Sequence, residues 1–261
     1  MKMTFFAGGL AMLAGFASLP ALASPASIQP LIAGSFAAGD GVNSQWVQVA
    51  ADWRGTIHGS QSWGTGLWGL ADAEAALSLP PGAPGVVQVY SGVLGNIQWA
   101  DQRYLDTWAP TWGVQSLVPF FHPDPDEYQD NYAVRFTGYV AVPTSGFYNF
   151  GVLYDDGFRF SLSGQGATLS LLQDGLNPRD RLGFDNDLLL DAGLYGFELV
   201  AWERLESGVV QLAWTQDGGA WATVPQTYLY TTPVPEPATA LNLLAGLGAL
   251  AAFRRFAGRR V

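Results

Sequence analysis

The 261-residue chain has no cysteine. A fold of this size therefore has no disulfide staple and must rely on a hydrophobic core. Lysine is almost as scarce, with Lys2 the only one. From Ser24 to Glu236 the positive charge comes from seven arginines, at positions 54, 103, 135, 159, 179, 181 and 204. Against them stand 22 acidic residues, for a net of −15. Such a surface repels phosphate backbones and anionic lipid, which rules against nucleic acid as a partner, and it draws divalent cations. Histidine occurs only at His58 and His122. With no G-x-S-x-G and no H-E-x-x-H, a nucleophile–histidine triad or a zinc site has little to be built from.

Long apolar runs are confined to the two ends. Residues 1–23 read as a secretory signal: Lys2, the run FFAGGLAMLAGFASL, and an A-x-A cleavage site at Ala21 to Ala23. The run is too short for a permanent membrane span. At the other end, TTPVPEPAT leads into the apolar stretch 238–253, followed by Arg254, Arg255, Arg259 and Arg260. Arginine clusters stay on the cytoplasmic side, so this stretch halts export with the bulk of the chain outside. The expectation is an N-terminal signal helix and a C-terminal transmembrane sorting helix.

Roughly 210 residues lie between the ends, enough for one large β-domain or two small ones. Ten Trp, ten Tyr and fifteen Phe supply material for a core. Residues 24–85 hold one strand pattern, QWVQVAADW, and one short helix pattern, LADAEAAL, with Asp72 placed to cap its first turn and PPGAPG ending it. From Val86 to 231 the chain alternates: VVQVYSGVL, NIQWADQRYL, YAVRFTGYVAV, GFYNFGVLY, GFRFSLSG, ATLSLLQ, DLLLDAG, LYGFELVAW and VVQLAW. Short alternating segments between turn residues predict an all-β domain, an antiparallel barrel or sandwich. In YAVRFTGYVAV, Val134, Phe136, Val140 and Val142 share one face, and Arg135, Thr137 and Tyr139 the other. VPTSGFYNF supplies a hairpin turn between two strands.

Three motifs invite chemistry. Gly64, Gly66 and Gly69 spell G-x-G-x-x-G, but a β-rich setting without an acid some twenty residues on makes it a chance match. Asp124, Asp126 and Asp130 beside His122 are spaced faintly like a calcium loop; two prolines and a missing central glycine favour a solvated loop. Asp155 and Asp156, in VLYDDGFRF, read two ways. One is a plain DDG hairpin turn. The other is a chelate, with both carboxylates turned to one side to hold a hard cation. That requires a departure from the extended backbone, for instance a cis peptide, because adjacent strand residues point to opposite faces.

The run YAVRFTGYVAVPTSGFYNFGVLYDDGFRFSLSG, followed by LDAGLYGFELVAWERLESGVVQLAWTQDGG, resembles the protective-antigen-type (PA-fourteen) β-barrel domain. The likeness covers roughly residues 86–230 and is strongest over 132–163 and 190–219. The resemblance implies carbohydrate binding through calcium held by two adjacent aspartates, here Asp155 and Asp156. An Asn ligand from a second loop falls at Glu203, which still offers oxygen. The C-terminus resembles the PEP-CTERM sorting signal, with Pro235, Glu236 and Pro237 ahead of the apolar stretch and arginine tail. It implies a Gram-negative, matrix-making bacterium and processing by an exosortase-type protease.

The sequence thus divides into a signal (1–23), an N-terminal part of the β-domain (24–85), a PA-fourteen-like barrel (86–231) and a sorting segment (232–261). The function expected is calcium-dependent carbohydrate binding at the cell surface or in the extracellular matrix, without enzymatic activity. Its rival is a structural matrix protein in which DDG is a turn. A glycan-cleaving enzyme fits less well, because paired catalytic carboxylates stand ~5–10 Å apart across a substrate.

Overall fold

The computed structural model describes residues 27–55, 65–120 and 129–233. The signal segment, Pro235 to Pro237, the stretch 238–253 with its arginines, both histidines, Gly64, Asp124 and Asp126 lie outside the described residues. Among the described residues no helix is long and apolar enough to cross a membrane.

The described chain is mostly β, one sheet curled into a half-barrel. Its first strands are β1 (Ser27–Ile28), β2 (Ile32–Ala33) and β3 (Val42–Val49), followed by helix α1 (Leu70–Leu77). Next come β4 (Val86–Leu94), β5 (Gln98–Ala100), helix α2 (Gln102–Thr107), β6 (Ser116–Leu117) and β7 (Tyr132–Val142). The long strands β8 (Gly146–Gly164) and β9 (Ala167–Gly183) precede β10 (Leu188–Leu190), β11 (Gly193–Glu203) and β12 (Val209–Gln216). β13 (Ala222–Thr223), a 3₁₀ turn at Gln226–Tyr228 and β14 (Leu229–Tyr230) complete it. The main strand order is β4-β3-β7-β11-β8-β12-β5-β6. Residues 24–85 therefore join the same sheet, since β3 pairs with β7.

The alternation expected on β7 is realised. Val134, Phe136, Val140 and Val142 enter the main core, while Arg135, Thr137 and Tyr139 stay half-exposed on the other face. Trp46 anchors that core, fully buried with its ring edge-on to Trp99, Phe120 and Phe136. Helix α1 covers the outer face, where Ala73, Ala76 and Leu77 pack on Val47, Ala133, Val200 and Trp202. Asp72 accepts from the Trp68 amide at 3.0 Å, tying the helix to the segment before it. Asp174 of β9 accepts from the Leu70 amide at 2.8 Å, satisfying another free helix-start donor.

Three local expectations are corrected. NIQWADQRYL is not one strand: β5 ends at Ala100, and Asp101 accepts from the Tyr104 amide at 2.7 Å and starts α2. The turn at 143–145 links β7 to β8, yet these two are not hydrogen-bonded neighbours. β11 lies between them, matching β7 from Gly193 opposite Val142 to Glu203 opposite Tyr132. DDG is no hairpin turn either. GFYNFGVLY and GFRFSLSG form the single strand β8, which runs straight through Asp155 and Asp156.

Candidate functional site

β8 changes partner at the aspartate pair. Up to Asp155 it pairs with β12, and from Gly157 onward with β11, while β9 follows its other edge with register shifts around Asp156. The Asp155–Asp156 peptide is cis. Neither carboxyl is fully buried, and each is held by a main-chain donor: Asp155 accepts from the Arg179 amide, and Asp156 accepts from the Arg204 amide at 2.9 Å.

Other acids gather at this end of the sheet. Glu203 closes β11 on the side of Leu199 and Ala201, facing the core. It is wholly buried, and neither carboxylate oxygen has a hydrogen-bond partner. Opposite it in register stands Tyr132, whose buried hydroxyl also lacks a partner. Gly208 fits between them: a methyl group there would overlap the Tyr132 hydroxyl and Glu203 Cγ and come within 3.0 Å of Asp101 Oδ2. Asp101 accepts from the Gly208 amide. Asp130 is half-buried at this acidic end rather than in a solvated loop, and its Oδ1 is unpartnered.

Crowding acids out of water favours their neutral forms. Burial, then Asp156 and Asp101, push Asp155 up to about 8, with Arg179 pulling the other way. Burial raises Asp156 to about 6 against the Arg204 amide and guanidinium. Asp101 is raised to about 7, again mainly by burial, although two amides bond to it. Glu203 is raised well above the usual carboxyl range by burial and then by Asp130, Asp101, Asp156 and Asp155. Burial lifts the Tyr132 hydroxyl in the same direction. The Arg204 guanidinium, which acts on Asp156, lies over Trp68 and donates to the Thr65 carbonyl.

Among the described residues no three acidic or imidazole side chains converge as a ready-made metal cage. Asp155 and Asp156 are thus a two-residue contribution, with Glu203 buried behind them instead of projecting from the loop. The donor set is all oxygen, suited to a hard cation that completes its shell with carbonyls, water or ligand hydroxyls. The orphaned oxygens of Glu203 fit a nearby positive centre. Asp101 and Tyr132 escaped notice in the sequence, since they reach the site through tertiary contact; the cap position of Asp101 was the one readable sign.

The PA14 domain family model matches residues 122–170, the stretch holding Asp155 and Asp156, so the PA14 resemblance holds there. No curated protein matches the chain. Among solved structures it is similar to the PA14 domain of the MpAFP antifreeze protein, at 14% identity, covering 78% of this chain and 97% of that one, with a TM-score of 0.48. It is also similar to the PA14 sugar-binding domain from an RTX adhesin, at 16% identity over 74% and 99% of the two chains, with a TM-score of 0.42. A third is the epithelial adhesin 9 A domain from Candida glabrata in complex with Galβ1-4GlcNAc, at 13% identity over 79% and 95%, with a TM-score of 0.44.

Proposed function

We propose that this is an exported cell-surface or extracellular-matrix protein whose β-domain binds carbohydrate through calcium held by Asp155 and Asp156. The observation that carries the reading is the pair of adjacent carboxylates, backed by the buried, unpartnered oxygens of Glu203. Calcium bound there would supply a centre that takes carboxylate oxygens and sugar hydroxyls together. The Arg179 and Arg204 amides fix the two aspartates, and the unpartnered oxygens of the buried Glu203 lie behind them. The PA14 match over this stretch supports the same reading.

The pair suits binding better than cleavage. Glycosidase carboxylates flank a bond from ~5–10 Å apart, whereas Asp155 and Asp156 are consecutive and repel each other. The sequence supports transient anchoring through 238–253 and cutting near Pro235 to Pro237 by an exosortase-type protease of a Gram-negative host. Intact mass of extracellular material then lacks everything after about Pro237; a chain still ending at Val261 contradicts this. For binding, a glycan array is read in calcium, in chelator and with Asp155→Asn. Signal only for the wild type in calcium supports the proposal. No glycan signal in any arm favours a structural matrix protein without ligand.

A further inference from the structure

A second recess lies four residues along β8 from the aspartate pair. Gly151, Leu153 and Asp155 face the same side of the strand, and β9 sets Gly183 beside Gly151 and Arg181 beside Leu153. Over the two glycines stand the indoles of Trp112 and Trp221, stacked with centroids 5.5 Å apart and planes at 19°. A methyl group on Gly151 would approach Trp221 to 2.8 Å and Trp112 to 3.3 Å, so glycine is what lets the indoles seat. With Arg181 and Leu182 these residues line a cavity of about 340 Å³. A smaller hollow of about 190 Å³ shares Arg181 and reaches Arg179, whose amide holds Asp155.

The aromatic walls are fixed from below. Gln115 donates to Gln211 at 2.9 Å, the fully buried Gln211 donates to Thr223 at 2.7 Å, and Thr223 donates to the Trp112 carbonyl at 2.9 Å. This relay ties the Trp112 loop to β12 and to β13, which follows directly on Trp221. The rim carries Arg179 and Arg181 with Asp180 between them. Arg103, Arg135 and Arg159 pair with Glu206, Glu198 and Glu74, whereas Arg181 makes no side-chain ion pair among the described residues. Arg179 stacks on Trp108, 4.4 Å from its ring centroid, and points at Thr111.

We propose that this cavity binds a pyranose bearing a carboxylate, a hexuronate unit of an acidic glycan. The indoles offer flat apolar surface to the C–H face of a sugar ring, and the free guanidinium offers a planar fork that matches a carboxylate. A neutral sugar would leave Arg181 without a counter-charge. Four strand residues span ~13 Å, a distance that consecutive sugars of one chain bridge to reach Asp155. The inference names the glycan class for the carbohydrate reading, but occupancy of the cavity does not require calcium.

The test is a titration of the full protein with methyl glucuronide and with methyl glucoside, each in calcium and in chelator, followed by saturation-transfer NMR and calorimetry. The glucuronide is expected to bind at least tenfold more tightly than the glucoside in both buffers. Arg181→Gln should remove that preference, a loss of about tenfold. Trp221→Ala should weaken both sugars. Equal binding of the two sugars, no binding of either, or a preference that survives Arg181→Gln overturns the proposal. The same preference in calcium and in chelator is the expected result for the cavity and leaves the calcium reading to the glycan array in calcium, in chelator and with Asp155→Asn, so the two failures are distinguishable.

Discussion

Two clusters of charge sit on this sheet, and they are built on opposite rules. On the outer face beside α1, Arg159 donates to Glu74 at 2.6 Å and to Glu198 at 2.5 Å, and Arg135 approaches Glu198 to 3.6 Å. Every acid there meets a guanidinium, and the set holds the helix to β8 and β11. At the β8–β11–β12 junction the acids meet one another instead, and Glu203 is buried with both oxygens unpartnered. The first cluster is complete as it stands. The second carries a cost that a bound cation would offset, since a buried carboxyl without a partner favours its neutral form.

The largest expected effect in this comparison is steric. Gly208→Ala drives a methyl group into Tyr132 and Glu203, neither of which has room to move, and should cost about 2–3 kcal/mol in chemical denaturation. If it costs nothing, the acidic end is looser than described.

Next comes pH, read in chelator. Asp155, Asp101 and Asp156 have folded values near 8, 7 and 6 against an ordinary 3.8. Below about pH 4 folded and unfolded chains both keep these protons, so nothing is lost there. Between there and pH 8 the unfolded chain ionises first, so stability falls as pH rises through the folded values. The melting temperature should therefore be higher at pH 5 than at pH 8. Asp155→Asn should flatten that slope, whereas a change in the outer cluster should not. An unchanged slope in Asp155→Asn would assign the pH effect elsewhere.

The paired cluster should respond more mildly. Arg159→Ala is expected to cost about 1 kcal/mol, less in high salt, because its partners are partly exposed. The smallest change is Glu203→Gln, within about 0.5 kcal/mol in chelator, because burial favours the neutral form of the acid and the amide has its size. Glu198→Gln, by contrast, strips Arg159 and Arg135 of a partner and should cost about as much as Arg159→Ala. If Glu203→Gln proves the costlier of the two, the distinction between the clusters fails.

Much of the frame was legible in the sequence. The bounds of β4, β7 and α1 coincide with VVQVYSGVL, YAVRFTGYVAV and LADAEAAL, because each lies on one clean period between turn residues. The junction was not. Two aspartates and a glycine interrupt the alternation that would have marked β8 as one strand. The polar second half of β9, with Pro178 inside it, gives no strand signal, since β9 pairs only with β8 among the described residues and its other edge needs no donor there. Asp155, Asp156 and Glu203 could be singled out, but the burial of Glu203 opposite Tyr132 is a product of register, which local spacing does not encode.

The most direct measurement is thermal unfolding of the wild type and Asp155→Asn, each in calcium and in chelator at pH 7.5. Calcium at about 100 times its dissociation constant adds ~2.7 kcal/mol by mass action, which raises the wild-type melting temperature by roughly 5–10 °C. The variant, whose side chain keeps its size, should keep its fold and lose most of that rise. A wild type that melts at the same temperature in calcium and in chelator contradicts the account and leaves Asp155 and Asp156 as an interruption of a strand.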